Sequence, residues 1–209
     1  KPIKEPLENA TAEMNVCYNP KTGHISSKLE TEFEISDLLE RIYAQIYKSY
    51  APAGLSGFQK RYTKYVSDWL IKVLPKKSKI LEIGCHDGFL LNELRSVGHQ
   101  CVGVEPSPSA NYAIETYKLD VRNQFFSDGI FEDEEFDVII MRHVVEHVPD
   151  PVKFVKSAVK SLKKGGIAYI EVPNSQWCVE NCYFPEFHVD HISYFTMNSF
   201  IRLLEMTGL

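Results

Sequence analysis

The sequence predicts an α/β domain on a doubly wound, mostly parallel sheet, and three observations carry that expectation. Short apolar runs alternate with helical patterns from residue 80 onward. Such alternation is the signature of a parallel sheet covered by helices on both faces. The first run opens through a glycine turn into a helix, the kind of junction where open α/β sheets receive ligands.

The elements follow in order. Residues 1–35 read as an N-terminal arm, because Pro2, Pro6 and Pro20 interrupt a stretch with no clear period. Within it, Asn19-Pro20 and Thr22-Gly23 have turn chemistry. Residues 36–75 read as a helical cap. Ser36-Asp37 can start a first helix carrying Leu38, Leu39, Ile42, Ile46 and Tyr47 at helical spacing. A second helix is expected over Gly57–Val73, with Tyr62, Tyr65, Val66, Trp69 and Leu70 on one side, ended by Pro75 and Lys76-Lys77. Its aromatic wealth reads as helix packing or as a pocket lining.

Residues 76–209 form the sheet domain. Strands are expected at Ile80–Ile83, Cys101–Val104, weakly at Leu119–Val121, then at Phe136–Met141 and Ile167–Val172. Helices are expected at Phe89–Val97, Ser109–Tyr117, Pro151–Leu162 and Met197–Met206, the third ended by Lys163-Lys164-Gly165-Gly166. The chain opens on Lys1 and stops at Gly208-Leu209, just after a helical pattern. It therefore reads as a fragment or trimmed chain, with the last strands of the sheet missing.

Composition narrows the function classes. A hydrophobic content of 44% over 209 residues supports one ordinary core, and a charged content of 24% argues against disorder. The net charge of -5 weighs against a grip on nucleic acid through general positive potential. No apolar run approaches the roughly 20 residues that span a bilayer. Five scattered cysteines make no disulfide framework, so a reducing cytoplasm is the expected location.

The string ILEIGCHDGFLL holds the most informative chemistry. Gly84 lets the backbone turn sharply at the strand end, and the next helix offers free N–H groups. A dinucleotide loop, G-x-G-x-x-G from Gly84, would need glycine where His86 and Phe89 stand. What stands there is E-x-G-x-x-x-G, with Glu82, Gly84 and Gly88, and Asp87 inside the turn. An acidic loop repels pyrophosphate but suits the ammonium and sulfonium charges of S-adenosylmethionine (SAM). The second strand then reaches Glu105, about 20 residues on, where a carboxylate can accept both ribose hydroxyls.

Two further stretches carry titratable groups. FDVIIMRHVVEHVPDP places Arg142, His143, Glu146 and His147 just past a strand. Met141, Arg142 and His143 are candidates for lining the cofactor, whereas His147 reads mainly as structural. The segment after the fifth strand carries Cys178, Cys182, His188, Asp190 and His191. It reads as a polar surface loop, as a Cys₂His₂ metal set with unusual spacing, or as catalytic, since histidine has the pKa of a general base.

These strings, with VGVEPSPSA, EVPN and FPEFHVDHISYF, resemble class I SAM-dependent methyltransferases over roughly residues 78–209. In motif they are most similar to the sugar C-methyltransferase group, whose loop typically reads E-I-G-S-N-D-G. The resemblance implies a Rossmann-like methyltransferase fold in which Glu82, Gly84, Cys85, His86, Asp87 and Gly88 surround the methionine part. It also implies that Glu105 and Pro106 hold the ribose and that Phe125 and Phe126 flank adenine. His86 departs from the Gly of the broad class and the Asn of the closer group. The group's Y-H-E-H ending, laid on FPEFHVDH, makes His191 the candidate general base and Asp190 its orienting or substrate-binding partner. His188 then falls where the group has Tyr. The group also carries an N-terminal four-cysteine zinc module, but Cys17 stands alone there, so no metal is expected.

The expected function is methyl transfer from SAM to a small-molecule acceptor, a sugar or nucleotide sugar carbon or hydroxyl among the choices, leaving S-adenosylhomocysteine. The alternative is a noncatalytic SAM-binding paralogue or subunit. Neither a nucleic-acid nor a membrane partner is expected, and oligomeric state is not legible.

Overall fold

The computed structural model describes residues 13–30, 37–38, 40–41, 57–131 and 135–209. The expected first cap helix falls almost wholly outside the described residues. The chain divides into two compact units, one from the described residues within 43–141 and 157–170, the other from those within 1–42, 142–156 and 171–209.

The first unit is built around a five-stranded sheet. Its strands are β3 (Lys79–Ile83), β4 (Gln100–Val104), β5 (Asp120–Arg122), β6 (Phe136–Arg142) and β7 (Leu162–Glu171), in the order β5-β4-β3-β6-β7. β6 and β7 pass into the other unit at their last residues. β3 pairs in parallel with both β4 and β6, so the order reverses beside β3. That reversal is the switch point at which doubly wound sheets open a crevice beyond the strand ends. Ile80, Leu81, Glu82 and Ile83 are all buried, as a central strand covered on both faces requires.

Helices α1 (Gly57–Val73), α2 (Phe89–Ser96) and α3 (Ala110–Glu115) supply much of the cover. Val66, Leu70 and Leu74 pack with Ile80, Leu90, Leu91, Leu94, Val138 and Ile140 in one apolar core. The face of α1 differs from the expected one. Thr63, Val66, Ser67 and Leu70 point inward at helical spacing, whereas Tyr65 is 72% exposed and Tyr62 and Trp69 are largely exposed too. Large aromatic volume marked a stripe in the sequence, but the small residues beside Val66 and Leu70 let the helix approach closely.

A second correction concerns residues 160–166. The helix α4 (Pro151–Val159) ends earlier than expected, and Lys163-Lys164-Gly165-Gly166 lies inside β7. Lys163 is held there by donating to Asp137 Oδ1 at 2.7 Å. The Lys79 N–H donates to the other oxygen at 2.7 Å, so one carboxylate ties the start of β3 to β6 and β7. Gly166 must stay small, since a Cβ would lie 3.0 Å from the Asp137 carbonyl oxygen.

The other unit contains an antiparallel sheet, β1 (Glu13–Asn19), β2 (His24–Glu30) and β8 (Ser193–Tyr194), in that order. The expected irregular arm thus holds a hairpin, closed at the turn chemistry seen around Asn19 and Gly23. The Gly23 N–H donates to the Asn19 carbonyl at 2.8 Å, and Gly23 sits at φ 70°. Helices α5 (Ser175–Glu180) and α6 (Met197–Thr207) complete the unit. Thr196 and Ser199 form a capping box at the start of α6. No helix among the described residues is long and apolar enough to cross a membrane.

Two measurements check this packing. A Cβ on Gly103 of β4 would lie 2.6 Å from Cys85 Sγ and 3.0 Å from Leu91 Cδ1, so Gly103→Ala should destabilise by about 1–3 kcal/mol in urea unfolding. Asp137 has its pKa lowered, first by the Lys163 hydrogen bond and then by the Lys79 N–H. Its stabilising contribution is therefore present above the unfolded carboxylate value and is lost as pH falls through the lower folded one. The stability gap between wild type and Asp137→Asn should be flat at neutral pH and close in acid, and a gap independent of pH would contradict the assignment.

Candidate functional site

The loop after β3 takes its shape from three residues in left-handed backbone, Gly84 at φ 77°, His86 at φ 49° and Gly88 at φ 74°. Glycine adopts this region freely and asparagine tolerates it better than most. That explains why Gly or Asn would be the commoner choice at position 86, and why His, itself enriched there, can stand in. Gly88 is further constrained by packing, because a Cβ would lie 2.7 Å from both Ala113 Cβ and Leu119 Cδ1. The Gly84 N–H donates to the Val104 carbonyl at 2.8 Å, and the Gly88 N–H to the Cys85 carbonyl at 2.8 Å, closing the turn. Asp87 Oδ1 accepts from the Phe89 N–H at 3.1 Å and starts α2.

Glu105, just past β4, locks this loop. Its Oε2 accepts from the His86 N–H at 2.9 Å and its Oε1 from the Ser107 N–H at 2.7 Å. Asn123 donates from its side chain to the carbonyls of Glu105 and Ser107 at 2.7 and 2.9 Å, bracing the same turn. A carboxylate has about four lone-pair sites, so each oxygen of Glu105 keeps one for a hydroxyl donor. Glu82, Asp87 and Glu105 are all buried, which concentrates negative charge around the turn. The Cys85 thiol registers that field. Burial first, then Glu82, Glu105 and Asp87, push its pKa well up and keep it neutral. Buried carboxylates around an open glycine turn fit a cationic ligand that carries a diol. Of the other expected cofactor residues, Pro106 is half-buried and Phe125 is exposed. Met141 has a fully buried side chain.

In the second unit, the residues after β6 form a polar cluster. Arg142 Nε donates to Glu171 Oε2 at 2.8 Å, and His143 Nε2 donates to Glu171 Oε1 at 2.9 Å. Partial burial works against a charge on His143, but Glu146 and Glu171 outweigh it and push its pKa up to about 9. Glu171 was not singled out in the sequence. Its place at the end of β7 was the available signal, because ligands of open α/β sheets bind outside the carboxyl ends of the strands.

Val145–His147 form a single 3₁₀ turn whose three residues are all buried. His147 Nδ1 donates to the Asp190 carbonyl at 2.9 Å, and Asp190 Oδ2 lies 3.5 Å from the same nitrogen. The rings of His147 and His191 meet edge to face at 4.7 Å, and His188 packs on His191 at 5.0 Å. Burial, then the neighbouring His147, lowers the His191 pKa and favours a neutral ring. The Tyr194 hydroxyl donates to the His188 carbonyl at 3.0 Å, and the Ser27 hydroxyl to the His191 carbonyl at 2.8 Å. His188, Asp190 and His191 are therefore brought together, with His147 as their partner. The Cys₂His₂ set is not assembled. Among the described residues the close group of potential ligand atoms is Glu146, His147 and His191, and it includes neither Cys178 nor Cys182.

The clasp at Glu105 has a direct test. In Glu105→Gln the amide end can no longer accept, so one buried N–H, of His86 or Ser107, loses its partner. Urea unfolding should show a loss of about 1–3 kcal/mol, and an unchanged midpoint would mean that the loop does not rely on Glu105.

Comparison with known proteins bears on the family and the fold. Ubiquinone biosynthesis O-methyltransferase of Pelagibacter ubique is 31% identical over 133 residues, covering 57% of this chain and 55% of that protein. The enzyme of the same name from Bartonella quintana is 33% identical over 108 residues, covering 47% and 42%. The chain thus spans about half the length of the curated relatives it matches. A SAM-dependent methyltransferase from Archaeoglobus fulgidus has a similar fold, with a TM-score of 0.55 at 22% identity over 72% of each chain. Residues 58–209 match the model of a methyltransferase domain. With the parallel sheet, the glycine turn and the carboxylate past β4 all in place, the chain belongs to the methyltransferase domain family, in the class that uses SAM.

Proposed function

We propose that this chain moves a methyl group from SAM to a hydroxyl of a small-molecule acceptor, with His191 as the candidate general base. The observation that carries this reading is the loop held by Glu105, which presents a buried diol acceptor beside an acidic glycine turn. Bound SAM supplies an electrophilic methyl on a sulfonium, which leaves as the neutral thioether of S-adenosylhomocysteine. Glu105 takes the ribose hydroxyls on its remaining lone pairs, with Pro106 beside it. Glu82, Asp87 and the backbone of Gly84–Gly88 hold the charged methionine end. Phe125 and Phe126 flank the adenine, and Met141, Arg142 and His143 are the further cofactor candidates.

An oxygen acceptor is favoured by the names of the curated relatives, which are O-methyltransferases. As the new O–C bond forms, the acceptor hydroxyl gives up its proton, and the neutral His191 ring is the group suited to take it. His147 and Asp190 orient that ring, and His188 packs against it. A sugar or nucleotide sugar carbon is the second reading. It rests on the Asp190-His191 pair, which stands where the sugar C-methyltransferase pattern has Glu-His.

Calorimetry should show one-site binding of SAM and of S-adenosylhomocysteine and none of NAD; binding of NAD alone would overturn the reading. With a panel of hydroxylated and sugar acceptors, His191→Ala should lower turnover by roughly 10²–10⁴-fold while SAM affinity stays unchanged. Retained turnover would remove the base assignment. SAM binding without methylation of any acceptor would favour a noncatalytic SAM-binding subunit.

A further inference from the structure

The buried cluster after β6 holds a carboxylate, Glu146, with no hydrogen bond among the described residues. A carbonyl oxygen only accepts, so the 2.9 Å contact of His147 Nδ1 with the Asp190 carbonyl places the ring proton on Nδ1. In the neutral ring, Nε2 then bears a lone pair. It lies 4.0 Å from Glu146 Oε1, another lone-pair donor. That separation is too long for a hydrogen bond. Glu146 is 1% exposed, and neither of its oxygens has a hydrogen-bond partner among the described residues. His143 Nδ1 comes only to 3.5 Å. That is ion-pair distance, but no hydrogen bond among the described residues reaches the Glu146 oxygens, and a buried carboxylate without one is costly.

We infer that Glu146, His147 and His191 form a binding site for a divalent transition-metal cation. One potential ligand atom from each residue lies within 4.8 Å of the others. Metal–ligand bonds of about 2.0–2.2 Å place ligand atoms roughly 3–4 Å apart, so small side-chain rotations close the set. The bracing expected around metal ligands is already present. The ligand histidine His147 donates its other nitrogen to a backbone carbonyl, as such histidines almost always do to an outer acceptor. The Ile192 N–H donates to the Glu146 carbonyl at 2.8 Å, and the Ser27 hydroxyl fixes the His191 carbonyl. Two imidazoles and one carboxylate suit zinc, iron(II), cobalt(II) or manganese(II) better than magnesium or calcium, which prefer all-oxygen sets. Three protein ligands leave positions open to water or to an acceptor oxygen.

The inference goes beyond the methyl-transfer reading and alters one part of it. A His191 ring that gives its lone pair to a cation is not a free base, and lowering the acceptor pKa then falls to the cation. The test is a titration of chelator-treated protein with cobalt(II). Expected are visible d–d bands that saturate at one equivalent and are bleached by zinc. Glu146→Gln, His147→Ala and His191→Ala should each weaken binding by at least about tenfold, whereas Cys178→Ser with Cys182→Ser should leave it unchanged. Calorimetry with SAM on the same samples reports whether each variant folds, and the wild-type titration decides even where one does not. Absent bands, or bands that survive all three substitutions, overturn the site. A chain that binds cobalt but not SAM overturns only the methyltransferase reading.

Discussion

The loop after β3 depends on one buried carboxylate. Glu105 draws in an N–H from the loop after β3 and another from its own turn, joining the ends of two neighbouring parallel strands. Without such an acceptor, a turn with three left-handed residues would have little reason to keep one shape. The contribution of each bond is modest, but leaving a buried N–H unpaired is not. The same constraint explains His86. Its backbone, rather than its side chain, meets Glu105, so the residue type matters mainly through its tolerance of positive φ.

Charge follows from this geometry. Burying Glu82, Asp87 and Glu105 beside one turn is unfavourable unless backbone donors and a cationic ligand offset the repulsion. The Cys85 thiol is pushed up first by burial and then by these carboxylates. The second unit handles its buried acids differently. Glu171 is matched by Arg142 and His143 through close hydrogen bonds, whereas Glu146 has His143 at 3.5 Å and His147 at 4.0 Å and no hydrogen bond among the described residues. One carboxylate is hydrogen-bonded on both oxygens and the other on neither.

Neighbours with this fold share little sequence, and at 22% identity the likeness speaks to the sheet rather than the chemistry. The candidate functional residues sit at or beyond the strand ends. The glycine turn follows β3, Arg142 ends β6 with the His143–His147 segment after it, and Glu171 ends β7.

The sequence by itself determined the parallel sheet, the glycine turn and the acid past β4. Each is a local matter, readable from an apolar run, a glycine spacing or a strand-to-acid distance. It also brought His188, Asp190 and His191 forward, through a resemblance that structure supports only as a cluster. Tertiary packing decided what local pattern could not. It chose the small-residue face of α1 over the aromatic one and drew Lys163–Gly166 into β7 through Asp137. It also folded part of the expected arm into a hairpin with β8. It set Glu146 and His147 against His191, some 44 residues away in sequence, because such meetings depend on long-range burial and not on period.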